Sequence, residues 1–186
     1  LAGEPLPENL VEKLRINTTA RIFNGYGPTE ATVYSTFKDV TKDAEITIGH
    51  PIANYQVYIL DQRLNPVPRG FTGELYISGA GLARGYMNRP DLTAERFIPN
   101  PFRPGERMYK TGDLVEWDQD YNIKFVGRAD HQVKIRGYRI ELEEIEQVLR
   151  NHSHVSDAAV VVNKDKADNS YLCAFLPLGL YCCFTP

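Results

Sequence analysis

From Ile46 to Val126 the chain is a succession of short β-prone runs, each closed by a cluster of turn residues. The runs are Gln56 to Leu60, Gly73 to Ser78, Leu114 to Trp117 and Ile123 to Val126. Two of the turns are Asp61-Gln62-Arg63-Leu64-Asn65-Pro66 and Asp118-Gln119-Asp120-Tyr121-Asn122. Branched and aromatic side chains suit a pleated, half-buried surface, whereas Asp, Asn and Pro favour local turns. The texture predicts a small antiparallel sheet or barrel. One helix is predicted to interrupt it over Asp91 to Phe97, behind Pro90, a residue that fits a helix start.

The flanks have other periods. Pro7 to Ile16 sets Leu10, Val11 and Leu14 on one helical face, and the apolar run Ala20 to Asn24 leads into Gly25. Helix, strand and glycine turn in that order fit the end of an α/β layer. Beyond Arg128-Ala129-Asp130, Val133 and Ile135 alternate with Lys134 and Arg136, a strand with one wet face. Glu141 to Arg150 then carries Leu142, Ile145, Val148 and Leu149 at helical spacing, and Val155 to Val162 returns to strand. The fold class is therefore mixed α+β. It comprises an α/β remnant over 1–45, a β-rich, barrel-like subdomain over 46–129, and from 130 the beginning of a smaller α+β domain.

Composition narrows the function. The 186 residues hold 21 Lys plus Arg against 24 Asp plus Glu, a net charge of −3 with both signs mixed. There is no basic stripe for nucleic acid and no polybasic patch for a membrane surface, so a small-molecule site is expected. The three cysteines, Cys173, Cys182 and Cys183, all lie near the end and cannot staple the body of the fold, which favours a reducing cytosol. The start, Leu1-Ala2-Gly3-Glu4-Pro5, has no Met and no signal-peptide pattern, and reads as a cut within a longer chain. From Leu172 to Pro186 there is no charge, and 11 of the 15 residues are apolar. That is too short for a membrane span of roughly 20 residues. It reads as an altered end or as a buried strand without its continuation, atypical from about residue 176.

Four constellations could carry chemistry. In Asn24-Gly25-Tyr26-Gly27-Pro28-Thr29-Glu30, glycines on both sides of a ring let backbone approach a flat ligand, and Glu30 offers a hard oxygen for Mg²⁺ beside a phosphate. Taken alone, the run reads as a tight turn before a helix. In Tyr109-Lys110-Thr111-Gly112-Asp113-Leu114, an Asp at a strand start can accept from vicinal ribose hydroxyls; alone it reads as a capped turn. Gly127 to Glu141 holds five basic groups, His131 included, bracketed by Asp130 and Glu141, and alone reads as a solvated strand face. Gly79 to Tyr86 (GAGLARGY) lacks the third glycine and the βαβ setting of a dinucleotide loop and is rejected as one. Gly73-Glu74-Leu75-Tyr76-Ile77 and the abundant tyrosines read as core packing. His152 and His154 have no nearby carboxylate or Cys pair for a metal, and no Ser, His and Asp set sits in a nucleophile elbow.

In order, NGYGPTE, GELYISGAGLARGYMNRPDLTAERF, YKTGDL and GRADHQVKIRGYRIELEEIE resemble the later core motifs of the adenylation domains of nonribosomal peptide synthetases. These domains belong to the AMP-binding, adenylate-forming superfamily of acyl-CoA synthetases and luciferases. The resemblance runs from Leu1 to about Phe175. It implies that 1–129 closes the large AMP-binding domain and that 130–186 opens a small mobile domain. It further implies that Tyr26 stacks on adenine with Asn24 and Gly25 as floor and Gly27 beside them, that Thr29 touches the α-phosphate, and that Glu30 holds Mg²⁺. Asp113 would take the ribose hydroxyls, with Phe125 near the adenine and Arg128 reaching ribose or phosphate. Asp130 would be the hinge, Lys134 would belong to the loop that rotation brings to the reaction, and Gly137 would leave room for a phosphopantetheine arm. Ala2, Gly25, Val33 and Tyr34 would line an amino-acid pocket.

The implied reaction is ATP-dependent formation of an aminoacyl adenylate, followed by transfer to the phosphopantetheine thiol of a carrier protein domain that works with a condensation domain. The alternatives are an acyl- or aryl-CoA ligase fragment, or a non-catalytic remnant or carrier-docking module. The family's phosphate loop with its lysine, the acidic residue for the substrate amino group and the distal lysine are missing from these 186 residues. The isolated piece is accordingly expected not to adenylate.

Overall fold

The computed structural model describes residues 1–43, 45–130, 132–135, 138–165 and 170–177, without the side chain of Arg139. Gly137, Cys182, Cys183 and the tail beyond Pro177 lie outside the described residues. The chain divides into two compact units, Leu1–Ala129 and Asp130–Pro186.

In the first unit, helix α1 (Glu8–Asn17) follows Pro7, whose extended backbone stops the helix from starting earlier. Val11 is its buried residue, packed with Ile22 and Val40; Leu14 borders that cluster, whereas Leu10 is exposed. Strand β1 (Phe23–Tyr26) pairs antiparallel with β2 (Thr36–Asp39), which pairs with β3 (His50–Pro51). The strand thus continues through Gly25, where the sequence suggests a glycine turn. The reason is pairing on both sides: Gly25 also forms a parallel bridge to Ala2. Strand β2 (TFKD) carries too little apolar pattern to announce itself.

The β-rich region forms a five-stranded antiparallel sheet of β4 (Tyr55–Leu60), β5 (Gly73–Gly79), β6 (Phe97–Pro99), β7 (Arg107–Trp117) and β8 (Ile123–Arg128). On one side β7 pairs with β5. On the other, its first part pairs with β6 and its last part with β8. Side chains alternate across the sheet, so Ile59, Leu75, Ile77, Val115 and Ile123 bury on one face while Leu60, Tyr76 and Met108 bury on the other. Two-sided burial explains why β5 reads as a nearly continuous apolar run. Both turn clusters are built by a leading aspartate: Asp61 Oδ1 accepts from the backbone N–H of Arg63 and Asn65, and Asp118 Oδ1 from those of Asp120 and Asn122. Helix α2 (Pro90–Arg96) has Pro90 in its first turn and ends at buried Phe97.

In the second unit, β9 (Val133–Ile135) pairs with β10 (Tyr138–Ile140), helix α3 (Leu142–Arg150) follows, and β11 (Ala159–Lys164) pairs with β12 (Ser170–Phe175). The strand expected over Val155 to Val162 begins only at Ala159; Asp157 and Ala158 instead meet Arg150 of α3. The first part of the chargeless tail lies in β12, where Tyr171 and Phe175 are exposed. No helix among the described residues is long and apolar enough to cross a membrane.

Candidate functional site

The structure builds its main polar cluster on an irregularity in β7. The register with β5 runs Glu74 to Leu114 and then Tyr76 to Lys110, so Thr111, Gly112 and Asp113 stand opposite Leu75 alone. Gly112 takes a φ of 77°, a left-handed conformation that favours glycine, and its N–H donates to Glu74 Oε1 at 3.0 Å. The Thr111 hydroxyl donates to Leu75 O at 2.7 Å and accepts from the Asp113 N–H at 3.0 Å. Asp113 therefore sits inside an 11-residue strand, on a bulge that re-aims its side chain, and not at a strand start.

Asp113 is buried, its side chain 9% exposed, and its carboxylate gathers groups from far along the chain. Arg128 Nη1 donates to Oδ1 at 2.6 Å and Nη2 to Thr111 O at 3.2 Å; the Tyr26 hydroxyl donates to Oδ2. Burial, and then the neighbouring Asp113 charge, push the Tyr26 hydroxyl well above the usual phenol range, so it stays protonated and able to donate. Tyr26 and Phe125 both border the core cluster under the sheet. Asn24, also buried, donates from Nδ2 to Thr47 O at 2.8 Å.

The turn after Tyr26 is equally determined. A Cβ on Gly27 would lie 2.6 Å from Val33 O and 2.8 Å from Ser35 N, so backbone fills the space that a side chain needs. A single 3₁₀ turn over Thr29–Ala31 exposes Thr29 and buries Glu30. The Tyr86 hydroxyl donates to Glu30 Oε1 at 2.6 Å, and Ala83 N donates to Glu30 O at 2.8 Å. Burial, followed by the bond to Glu30, raises the Tyr86 hydroxyl far above its ordinary value. Thr32 and Val33 follow with φ of 50° and 69°, a sparsely populated region for β-branched residues.

Ala2, Gly25 and Tyr34 come together. Ala2 bridges Gly25, and a Cβ on Gly25 would meet the Phe37 ring at 2.8 Å and the Tyr34 ring at 3.0 Å. Val33 is exposed on the same turn. Asp130 and Lys134 belong to the second unit. Asp130 Oδ1 accepts from the Gln132 N–H at 3.3 Å, and Lys134 is exposed in β9. Sequence reasoning assigns no role at the site to Thr111, Glu74 or Tyr86. Tyr86 closes the Gly79 to Tyr86 segment, whose glycines signal a special backbone without saying what it approaches.

Glu30 supplies a single carboxylate, which fits Mg²⁺ only together with other oxygen ligands. The described residues contain no group of three His, Cys, Asp or Glu that could form a protein cage. Mg²⁺, however, is commonly held by one or two carboxylates together with substrate phosphates and water, and Glu30 suits that arrangement.

Comparison with known proteins gives a consistent result. Residues 1–87 match the family described as AMP-binding enzyme. Tyrocidine synthase 3 of Brevibacillus parabrevis is 54% identical over 178 residues, covering 94% of this chain and 3% of that protein. Among solved structures, an artificially fused adenylation–PCP di-domain nonribosomal peptide synthetase from Klebsiella oxytoca matches with a TM-score of 0.80 and 36% identity. The match covers 96% of this chain and 34% of that one. The Vibrio cholerae adenylation domain AlmE, in complex with glycyl-adenosine-5'-phosphate, matches with a TM-score of 0.85 and 30% identity over 97% of this chain and 36% of that one. The chain thus spans a small part of its curated relative and about a third of these solved chains.

Proposed function

We propose that this chain, which belongs to the AMP-binding enzyme family in its nonribosomal peptide synthetase adenylation branch, contributes the adenosine- and phosphate-facing part of a site that activates an amino acid with ATP. The observation that carries this reading is Asp113: a buried carboxylate raised on a bulge, with the Tyr26 hydroxyl and the Arg128 guanidinium both on it. An acceptor held that rigidly suits a vicinal diol, as found in ribose.

Tyr26 supplies the stacking face for adenine, Asn24, Gly25 and Gly27 the close backbone, and Phe125 a second ring. Arg128 lies where it can turn from Asp113 to ribose or phosphate. Thr29 is exposed to contact the α-phosphate, and Glu30 is the residue that would hold Mg²⁺, which neutralises phosphate charge when bound. An amino-acid carboxylate oxygen attacks the α-phosphorus, the bond to the bridging oxygen breaks, and pyrophosphate leaves. The carrier domain's phosphopantetheine thiolate then attacks the acyl carbon and AMP departs. No side chain is needed as a covalent nucleophile; positioning and charge stabilisation supply the acceleration.

Residues 1–129 would close the large domain and 130–186 open the mobile one. Asp130 is the proposed pivot, Lys134 and Gly137 the loop residues of the thiol-transfer state, and Ala2, Gly25, Val33 and Tyr34 the amino-acid pocket. A condensation domain of the same assembly line is a proposed partner and the cytoplasm the proposed setting.

The test is a graft of this sequence into the matched stretch of tyrocidine synthase 3. The expected result is amino-acid-dependent ATP–pyrophosphate exchange that disappears with Asp113→Ala. A folded graft that exchanges with no proteinogenic amino acid overturns the reading.

A further inference from the structure

The segment Gly79 to Tyr86 is conspicuous in the sequence and unused by the roles above, yet it lies against the turn that carries Glu30. Three contacts join them: Ala83 N to Glu30 O at 2.8 Å, the Thr32 hydroxyl to Gly81 O at 2.6 Å, and the Tyr86 hydroxyl to Glu30 Oε1 at 2.6 Å. The two backbone-directed contacts dock the segments. The third reaches the carboxylate itself.

Tyr86 is not a loose side chain that happens to be near. Its ring packs edge-on against Phe97 at 5.7 Å between centroids, its hydroxyl lies 3.4 Å from that of the fully buried Tyr109, and its N–H donates to the Thr93 hydroxyl at 2.9 Å. Phe97 and Tyr109 are paired across β6 and β7, so the hydroxyl is referenced to the same long strand that carries Asp113. A donor anchored to that strand can restrict how the Glu30 carboxylate rotates. Such outer partners of metal-binding carboxylates govern ligand orientation.

We propose that Tyr86 is a positioning residue for Glu30: its hydroxyl fixes the carboxylate in the orientation that meets the nucleotide's divalent cation. The proposal rests on the reading of Glu30 as the cation-binding carboxylate of an amino-acid-activating site.

The test uses the native protein carrying this sequence, with Tyr86→Phe, Glu30→Gln and the double variant, and measures Mn²⁺ binding in the presence of ATP by electron paramagnetic resonance, which Tyr86→Phe is expected to weaken, alongside amino-acid-dependent ATP–pyrophosphate exchange as Mg²⁺ is titrated. Tyr86→Phe keeps the ring and removes only the donor. It is expected to raise the half-saturating Mg²⁺ concentration by roughly tenfold, the scale on which outer partners act, while the amino-acid KM stays within about twofold because the hydroxyl faces Glu30. In the Glu30→Gln background the same change is expected to add little, since contacting residues that act through one another are not additive. Active wild type with an unchanged Mg²⁺ requirement in Tyr86→Phe, or equal effects in both backgrounds, overturns the positioning role alone. Wild type without exchange overturns the functional reading and this inference with it.

Discussion

The carboxylates of the candidate site and those of the second unit are held in opposite ways. At the site, within Leu1–Ala129, the partners are distant in sequence: Tyr26 reaches Asp113, and Tyr86 reaches Glu30, with both acidic residues buried. In Asp130–Pro186 the contacts are local and wetter. Arg150 meets Glu146 one helical turn back and Asp157 just ahead, with the Asp157 side chain 70% exposed. A buried carboxylate gains by having its donors placed by a sheet, because an unpaired one there is costly. A solvated carboxylate needs no such scaffold, so its partners can come from adjacent turns.

The sharpest way to break the contrast is Asp113→Ala. The Arg128 and Asp113 side chains are only 14% and 9% exposed, so removing the carboxylate is expected to cost about 3–5 kcal/mol in denaturant unfolding. A loss below about 1 kcal/mol, the range of surface pairs, would place this cluster with the solvated contacts instead. Next comes Gly27→Ala, which drives a methyl group into the backbone at Val33 and Ser35. Overpacking of this kind is expected to cost about 1–3 kcal/mol, and an unchanged unfolding midpoint would show that the turn yields freely.

The smallest effect belongs to Arg150→Ala, followed by thermal unfolding across pH. The Arg150 hydrogen bond holds the Asp157 carboxyl below the usual range. The depressed value means that the pair's contribution is present above the unfolded carboxylate pKa of about 3.9 and fades as pH falls below it. Wild type and variant should therefore converge in acid. A difference that persists at low pH would assign the effect to the bond from Arg150 Nη2 to Ala158 O, and not to the ion pair.

Legibility in the sequence follows the range of the interactions. The turns at Asp61 and Asp118 are readable because one side chain caps the backbone two and four residues on. Strands β4, β5, β7 and β8 are readable from their apolar runs, although β7 is longer than its apolar part because Arg107 to Lys110 pairs with β5 and β6 regardless of polarity. Strand β2 is not, since its partners β1 and β3 supply the stabilisation that its own composition does not. The Asn24 to Glu30 and Tyr109 to Leu114 motifs are visible as glycine-flanked polar runs and gain their meaning from their order along the chain. Neither the bulge beneath Asp113 nor the Tyr86 hydroxyl on Glu30 has a local signature.

The mixed α+β class and the turns are thus written in the residues themselves, because periodicity and turn chemistry act over a few positions, while the motif order speaks through its resemblance to AMP-binding enzymes. Which donors meet which carboxylates is settled in three dimensions. Strand register places Arg128 beside Asp113, while the packing of β1 and of the Gly79 to Tyr86 segment brings Tyr26 to Asp113 and Tyr86 to Glu30, and both depend on segments that no short window contains.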